Sequence, residues 1–466
     1  MKTPFELSQE AWSSSVGFRQ RRRRYLRYTY GRQWEDLTRS PRDGSSVSEE
    51  VAAMQQGQVP HTNNLIRQLV KCVIGNFRSG IAENDPAAAE PVDTQTAERN
   101  ELLELDCRML EEFLISGCAI QRIVLERRPG GSGAWVDNVS PDDFFVNRFR
   151  DPRGHDIELI GMLHSMSLRE VIMRYGSSSA DAPQRIARAY DSTGSLPSAG
   201  AIGISARSRF SDAGPGRCRV IEVWTLESRN MLRCHDPLDS CLFLSEQRMA
   251  DEIRALNDRR NKNSLPTIST AEAVSLRWRC RIYTPLGEIL DEYDSPFTHC
   301  GHPFALKFYP MVDGEVHSLV EDIIDQQRHI NSLITLIDQI MRVSAKGVLL
   351  FPIDQKVDSM SWPDVGRAWA QPNAIIPYIP GQNETQPRQI ITSGDTSGAY
   401  RLLETHLEMF QKGSGVSEAL QGRLPQANAS AALYDSQLRS SAVTLLDLLE
   451  TFNTFRKQRN RKINLV

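Results

Sequence analysis

The sequence predicts an α+β fold, in which helices alternate with antiparallel hairpins over the first 310 residues and long helices dominate the rest. Apolar residues that recur every three or four positions predict the helices, and runs in which apolar and polar residues alternate predict the strands. The strands follow one another in pairs joined by short turns. This order favours α+β over the repeating strand–helix order of a doubly wound sheet.

The composition is that of a folded, globular protein. Its 466 residues suit two or three structural units, and contents of 40% hydrophobic and 24% charged residues are close to globular averages. The 55 basic and 58 acidic side chains give a formal net charge of -3. A protein that wraps nucleic acid tightly would have a broad basic excess, so this balance argues against one. It is compatible with a channel through which DNA slides, because strong phosphate binding would hinder sliding.

The cysteines predict neither a disulfide framework nor a metal site. The eight are scattered without a CxxC pair, and the Cys300–His302 stretch with His299 lacks the partner ligands that zinc needs. We therefore expect ordinary buried thiols in a reducing compartment, with no metal and no cofactor. The first residues lack the apolar core of a signal peptide, and no run approaches the roughly 20 apolar residues of a membrane span. The expectation is folding in the cytoplasm, with no membrane partner.

The N-terminal region is predicted to be helical over residues 8–34 and to end in a basic, aromatic stretch that contains Arg21, Arg22, Arg23 and Arg24. One interpretation is an arm that binds phosphate or a partner. The other is a solvated helix face whose aromatic side chains turn inward. The sequence leaves both open.

Between residues 40 and 310 the patterns predict short helices, hairpins and loops. In chain order these are a loop at 40–60 with one helical turn near 48–54, helices at 63–81 and 94–116 with a stop at Gly117, a hairpin of 118–127 with 134–139, a third strand within 140–147, a short capped helix at 165–176, an exposed Ser/Ala/Gly-rich excursion at 177–217, a strand at 220–226, a charged helix at 250–261, and a hairpin of 276–284 with 288–291.

The last third of the chain differs in kind. A helix of roughly 45 Å is predicted over residues 315–346, which contain no proline or glycine. Short apolar runs punctuated by prolines at 347–392 predict a small subdomain with short strands. A helix at 395–412, a polar loop at 413–430 and a long helix at 431–459 complete the order.

No constellation of catalytic residues is evident, so we predict no enzymatic activity. The phosphate-binding loop G-x-x-x-x-G-K-[ST], the G-x-S-x-G elbow and the H-E-x-x-H zinc motif do not occur. Paired carboxylates such as Asp142–Asp143 and Glu321–Asp322 fit a turn and a solvated helix face. Nothing combines an acid, a base and a positioning group.

Several short motifs occur in a distinctive order. They are F-A-L-K-F-Y-P at 304–310, D-G-E-V-H-S-L-V at 313–320, D-Q-Q-R-H-I-N-S-L at 325–333 and G-V-S-E-A-L-Q-G at 415–422, preceded by Y-G-R-Q-W at 30–34, H-T-N-N-L-I at 61–66 and V-S-P-D-D-F-F-V at 139–146. In these motifs and their spacing the chain resembles the portal, or head-to-tail connector, proteins of tailed double-stranded DNA bacteriophages.

The resemblance implies a division of the chain and a set of partners. The segments would be an N-terminal arm and wing (1–314), a first stem helix (315–346), a clip (347–392), a second stem helix (393–412), a tunnel loop (413–430) and a long wing or crown helix (431–466). Such proteins form a dodecameric ring at one capsid vertex of the virion, assembled in the host cytoplasm. The ring conducts double-stranded DNA during packaging and ejection, contacts the major capsid protein, and docks the terminase and later a head–tail adaptor or neck protein.

The candidate site residues follow from this division. The channel face of the first stem helix would mix the carboxylates of Glu321, Asp322, Asp325 and Asp338 with the cations of Arg328, Arg342 and Lys346. Lys412 and Arg423 are candidate phosphate contacts at the tunnel loop, where a solvated loop is the other interpretation. In the clip, Trp362 and Trp369 are candidate interface residues, because aromatic residues are enriched at interface hot spots. Burial in the small core of the clip or between subunits is the alternative.

Three other classes of protein stay open from the sequence. One is another ring or shell component of a virion, such as an adaptor or baseplate protein. A second is a metal-dependent enzyme that acts on nucleic acid, which would need a clustered acidic site. A third is a cellular scaffold.

Overall fold

The computed structural model describes residues 2–83, 90–129, 131–177, 181–193, 210–246, 249–297, 301–346, 348–370, 375–380, 386–390, 397–415 and 431–465. The α-helices in this part of the chain are α1 (Pro4–Ser14), α2 (Val16–Thr29), α3 (Glu49–Gln55), α4 (Leu65–Glu83), α5 (Thr94–Arg99), α6 (Leu102–Ser116), α7 (Leu168–Tyr175), α8 (Ala182–Thr193), α9 (Ala250–Lys262), α10 (Leu319–Lys346), α11 (Trp362–Ala370), α12 (Ser397–Ser414) and α13 (Ala431–Asn464). The strands are β1 (Leu37–Arg39), β2 (Ser46–Ser48), β3 (Cys118–Arg128), β4 (Gly131–Asn138), β5 (Phe144–Val146), β6 (Leu159–Met166), β7 (Cys218–Asp236), β8 (Cys241–Glu246), β9 (Ser269–Tyr283), β10 (Ile289–Asp294), β11 (Phe304–Phe308), β12 (Met311–Val312), β13 (Glu315–Val316), β14 (Val348–Leu350) and β15 (Arg388–Ile390).

The fold is α+β, as predicted, and the chain divides into two units that are each assembled from separate segments. Unit 1 comprises Met1–Arg23, Val73–Leu319 and Leu445–Val466. Unit 2 comprises Arg24–Cys72 and Val320–Thr444. Each unit therefore depends on contacts between residues far apart in the sequence.

Unit 1 is organised around two antiparallel sheets. The larger has the strand order β10-β9-β7-β6-β5, and β8 pairs with the outer part of β7. The smaller has the order β11-β3-β4. Every pairing in both sheets is antiparallel, which is the arrangement that consecutive hairpins produce.

The main core of unit 1 lies where residues of both sheets meet. Trp224 of β7 is 1% exposed and lies opposite Cys280 of β9. Phe304 of β11 contacts Phe144 of β5, with ring centroids 5.5 Å apart. Their burial removes large apolar surfaces from water, the main driving force for folding.

Helix α1 closes a second core of the same unit. Its start is fixed by a capping box, in which the Thr3 hydroxyl accepts from the Glu6 amide while the Glu6 carboxylate accepts from the Thr3 amide. Trp12 is buried against Phe145 and Phe210. The N-terminal residues are thus part of the folded unit.

Unit 2 contains α10, a 28-residue helix of about 42 Å. After it come the antiparallel pair β14–β15, a 3-10 turn at Ile353–Gln355, the nine-residue α11, and α12. The long helix, small insert and second helix that the sequence predicts are therefore present. Helix α11 was not predicted.

Several element boundaries were predicted wrongly. The single helix predicted at 94–116 is interrupted, because Glu101 adopts a left-handed conformation (φ 48°) between α5 and α6. The helix predicted from residue 315 begins at Leu319, because β12 and β13 form a short hairpin just before it. The loop predicted at 40–60 contains β2, which pairs with β1 just before it. The helical turn predicted near 48–54 corresponds to α3, whose N-cap is Ser48.

The predicted excursion at 177–217 was also wrong in part. It contains α8, whose residues Ala182, Ile186 and Tyr190 recur at four-residue spacing and are buried. Residues 194–209 of that segment lie outside the described part of the chain. The predicted helical stop at Gly117 is confirmed: its φ is 72°, and an added Cβ would lie 1.8 Å from the His317 carbonyl oxygen.

Candidate functional site

Helix α10 carries an apolar face and a line of buried polar side chains. The buried apolar residues of this helix are Val320, Ile323, Ile324, Ile330 and Ile337. Gln327, Asn331 and Thr335, spaced four residues apart, are also at most 2% exposed. We call these three residues the polar ladder. Amides and hydroxyls at such burial require hydrogen-bond partners.

The partners of the polar ladder are backbone groups of the extended segment 61–64 and the start of α4. The amides of His61, Asn63 and Leu65 donate to Thr335, Asn331 and Gln327, each at 3.0 Å. Four residues of helix rise about 6 Å, and two residues of extended chain span about 6.6 Å. Because the two repeats are nearly equal, successive residues of the polar ladder accept from alternate backbone amides of the segment.

This geometry explains why two of the sequence motifs occur together. H-T-N-N-L-I supplies the extended segment, and D-Q-Q-R-H-I-N-S-L supplies two rungs of the ladder. The Gln327 amide also donates to the Asn63 carbonyl at 2.6 Å, and Gln33 bonds to both Asn64 and Asn331. These directional hydrogen bonds therefore set the position of α10 along the segment 61–65 within unit 2.

Replacing Gln327 by leucine is expected to lower the free energy of unfolding by about 1–2 kcal/mol, because the Leu65 amide, the Asn63 carbonyl and the buried Asn331 side chain each lose a hydrogen bond to Gln327. Ser332→Ala, at an exposed position of the same helix, is the matched control and should have little effect. The comparison is made by urea denaturation. Equal midpoints for both variants would show that the polar ladder does not stabilise the fold.

Three of the five cations predicted for the channel and tunnel loop are paired with a carboxylate of this chain. Arg328 contacts Glu49, Arg342 contacts Asp338 at 2.7 Å, and Lys412 contacts Glu408 at 3.4 Å. Fourteen residues separate Arg328 from Arg342, which places them about 21 Å apart along α10 and within about 40° around its axis. The side chain of Lys346, and Arg423 as a whole, lie outside the described residues.

A polar cluster of unit 2 is centred on Asp36, and the charge of Arg328 acts on Tyr28 in this cluster. Asp36 accepts hydrogen bonds from Arg24 and Arg27 at 2.8 Å and from the Tyr28 hydroxyl at 3.1 Å. Burial, together with the charge of Asp36, raises the pKa of Tyr28 to about 12. The hydroxyl therefore stays protonated and continues to donate at any physiological pH.

Three of the four consecutive arginines are committed to carboxylates within the chain. Arg22 is buried and forms two hydrogen bonds of 2.7 Å with Glu112. Burial alone would lower the pKa of Arg22, but Glu112 and Asp142 outweigh it and raise the pKa. Arg23 contacts Asp142 at 3.1 Å, and Arg24 contacts Asp36 as described above.

Two aromatic residues of this stretch, Tyr25 and Tyr28, turn inward and are at most 5% exposed, whereas Tyr30 is 54% exposed. Arg21, at the start of the run, is partly exposed. This stretch is therefore closer to the second interpretation, a helix face whose aromatic residues turn inward. The difference is that its arginines form ion pairs and are not simply solvated. The role of the run as an arm stays a prediction.

The two tryptophans predicted for the clip lie on α11. Trp362 is 44% exposed and contacts Phe351 edge to face, with ring centroids 6.0 Å apart. Trp369 is partly buried. The structure brings neither of them together with the cations of α10 and α12 in a described contact.

Sequence reasoning missed a buried ion network in unit 1. Asp106 of α6 contacts Arg456 at 2.9 Å and Arg459 at 2.6 Å, and these three residues are at most 4% exposed. Lys462, further along α13, donates to the carbonyls of His302 and Phe304 at 2.7 Å. The R-x-x-R spacing in an amphipathic helix was the available signal, because residues three apart share a face.

A second missed network is centred on Glu222 of β7, which is 1% exposed. Arg122 of β3, His164 of β6 and the Trp224 indole all contact its carboxylate, at 3.0, 2.7 and 2.7 Å. Burial alone would raise the pKa of Glu222, but the charge of Arg122 and the contacts with His164 and Trp224 outweigh it. They hold the pKa well below its usual value.

The described ranges contain no candidate metal site and no candidate membrane span. No cluster of three or more histidine, cysteine or acidic side chains there could hold a metal ion. None of the helices in those ranges combines the length and the apolar character that crossing a membrane requires.

Helix α10 is held in register by buried polar contacts, and Arg328 and Arg342 on it are paired within the chain. A family model described as Phage P22-like portal protein matches residues 5–464. The match spans nearly the whole chain, which therefore belongs to the P22-like portal protein family. A search of curated proteins gave no match. The resemblance found in the sequence motifs is thereby confirmed.

Membership fixes the broad role of the chain. It is a bacteriophage portal protein, a component of the virion that serves DNA packaging. Portal proteins as a family are structural and non-enzymatic. The family implies self-assembly into a ring and interaction with capsid and DNA.

Proposed function

We propose that twelve copies of this chain form a ring at one capsid vertex, and that the ring conducts double-stranded DNA during packaging and ejection. The observation that carries the proposal is the order of α10, the small β14–β15 insert and α12 in unit 2. A cyclic assembly needs rigid elements that repeat side by side, and helices with one apolar stripe can bury that stripe against a neighbour. The chain itself takes no part in catalysis.

The segments have distinct roles in this proposal. Residues 1–314 form the arm and wing that contact the major capsid protein, and 431–466 form the helix that returns toward the crown. Residues 315–346 and 393–412 are the stem, and 413–430 the tunnel loop, of which 416–430 lie outside the described residues. Assembly takes place in the host cytoplasm before DNA enters the capsid.

The clip at 347–392 docks the terminase during packaging and a neck or adaptor protein afterwards. Exposure of Trp362, at 44%, supports a role in docking or in subunit contact. An indole that its own chain leaves half exposed still has apolar surface that a partner can bury.

Paired charges on the stem suit a conduit. Each exposed cation beside a carboxylate binds phosphate less strongly than an isolated cation, because DNA must compete with the partner. Arg342 with Asp338 and Lys412 with Glu408 are such pairs, with cation side chains 60% and 79% exposed. DNA in contact with these pairs would be held weakly enough to move.

Imaging of the purified full-length chain tests the ring. The expected result is a closed ring with a central hole in negative stain, and a mass that is a whole multiple of the 52.6 kDa subunit. A compact monomer under all conditions contradicts the proposal.

Reversing two stem charges, Arg342→Glu with Lys412→Glu, is expected to lower DNA packaging by about tenfold while rings still form, because added negative charge repels the DNA backbone. Arg254→Glu is the matched control, since Arg254 of α9 is 79% exposed and lies in unit 1. Packaged DNA is measured by nuclease protection in a complementation assay. Packaging equal to that of the control would remove these two residues from the channel.

A further inference from the structure

The larger sheet of unit 1 extends beyond its core as a three-stranded arm. We define the β arm as β8, Met231–Asp236 of β7 and Ser269–Leu276 of β9. In it β7 is the central strand, paired with β8 on one side and β9 on the other. Strand β10 pairs with β9 only from Arg279 to Tyr283. Within the described residues the outer edges of β8 and of Ser269–Leu276 therefore have no strand partner.

Apolar side chains accompany both open edges. On β9, Val274 and Leu276 are 71% and 62% exposed, beside the exposed Asn230 and Ser228 of β7. On β8, Leu242 and Phe243 are 67% and 40% exposed. Open strand edges that carry apolar residues are templates for pairing with another chain, and proteins normally cover or charge them.

We propose that the β8 edge of one copy pairs with the β9 edge of the next copy, so that the β arm is an interface between neighbouring subunits. This inference rests on the proposed ring. A cyclic ring repeats one heterologous contact and needs two different faces on each subunit. The β arm has two different open edges on opposite sides of one sheet, which is the arrangement that a head-to-tail contact requires.

Strand direction fixes the kind of pairing. Both β8 and β9 run antiparallel to β7, so they run parallel to each other. Neighbours in a ring of many subunits are related by a small rotation, which keeps the two strands nearly parallel. The contact is therefore a parallel pairing. Two β9 edges meeting across a twofold axis would instead pair antiparallel and close as a dimer.

Cysteine cross-linking in the full-length chain tests this pairing, because Cys241 of β8 is already exposed. Register places Cys241 opposite Asp236, on the sheet face that also carries Thr270 and Glu272 of β9. Within one chain β7 separates β8 from β9 by about 9.6 Å. A disulfide needs Cα atoms within about 7 Å, so a disulfide between Cys241 and a cysteine on β9 joins two copies.

Under mild oxidation, Glu272→Cys is expected to give a ladder of covalent multimers on non-reducing gels. Thr270 does not suit this test, because it lies opposite Cys234 of its own chain. Ala271→Cys, on the opposite face, is the matched control and should give none. Adding Cys241→Ser should abolish the ladder. Dimers that persist after Cys241→Ser would overturn the proposal in favour of a β9–β9 contact.

A charge variant gives a second, independent readout. Val274→Lys with Leu276→Lys should lower the fraction of chain in rings by about tenfold, since lysine cannot be buried there without losing hydration. Met173→Lys, at a 75% exposed position of α7 in the same unit, should assemble normally. Suppose that the wild type forms rings, that the Val274→Lys, Leu276→Lys variant also forms them, and that Glu272→Cys gives no cross-links. Only the β-arm proposal then fails. If the wild type forms no ring, the proposed function fails.

Discussion

Replacing Asp106 by alanine is expected to lower the free energy of unfolding of unit 1 by about 3–5 kcal/mol, because removing one partner of a buried ion pair leaves a buried charge uncompensated. Here two guanidinium groups, of Arg456 and Arg459, would lose their carboxylate at once. Both belong to the last turns of α13, so these turns should detach first.

Urea denaturation and hydrogen exchange together measure this effect. The midpoint should fall, and amides from Phe452 to Ile463 should exchange faster. Glu104→Ala is the matched control: Glu104 lies on the same helix and also contacts arginine, but its side chain is 39% exposed, so the cost should be under about 1 kcal/mol. Similar losses for the two variants would mean that the Asp106 network adds no more than a surface ion pair.

Replacing Glu222 by alanine is expected to cost a similar amount, again about 3–5 kcal/mol. The variant leaves Arg122 and His164 buried without their acceptor, at 13% and 12% side-chain exposure, and removes the partner of the Trp224 indole. Because Arg122 belongs to the smaller sheet, the contact between the two sheets of unit 1 should loosen. Glu227→Ala on the same strand, where the carboxylate is 32% exposed and contacts Arg281, is the control.

Acidification should reproduce part of this loss in the wild type. The pKa of Glu222 is held below its ordinary value of 4.5, so the folded state binds a proton at this carboxyl less readily than the unfolded state. Its contribution to stability is complete above pH 4.5 and declines as the pH falls below that value. Glu222→Gln, which has no such carboxyl, should show a weaker dependence on pH between 5 and 3. Parallel pH profiles for the two proteins would contradict this assignment.

Elements with a strong local pattern were predicted well from the sequence. Helix α4 was predicted at 63–81 and spans Leu65–Glu83, and the hairpin of β3 and β4 was predicted with its turn. Both signals arise within a short stretch of chain: apolar residues at helical spacing in the first case, and alternation around a turn in the second. Glycine at residue 117 marked a helix end for an equally local reason, its left-handed conformation.

Elements stabilised by distant residues were not predicted. Strands β6 and β8 lack a clear alternation and are held by pairing with β7, tens of residues away along the chain in the case of β6. The contact of Asp106 with Arg459 joins residues 353 positions apart, and no periodicity reports it. In the sequence, the polar ladder appears only as polar residues at four-residue spacing in an amphipathic helix. Its role as hydrogen-bond acceptor depends on the extended segment 61–64, which is far away along the chain.

The segmented make-up of unit 1 has a consequence for biosynthesis. Residues 445–466 contribute Phe452, Phe455 and Arg459 to its interior, alongside segments that begin at Met1 and Val73. A ribosome delivers these residues hundreds of positions after the strands they cover. Cotranslational folding can thus form individual hairpins, but the unit reaches its native state only after residue 459 has emerged, which delays association with other copies until that point.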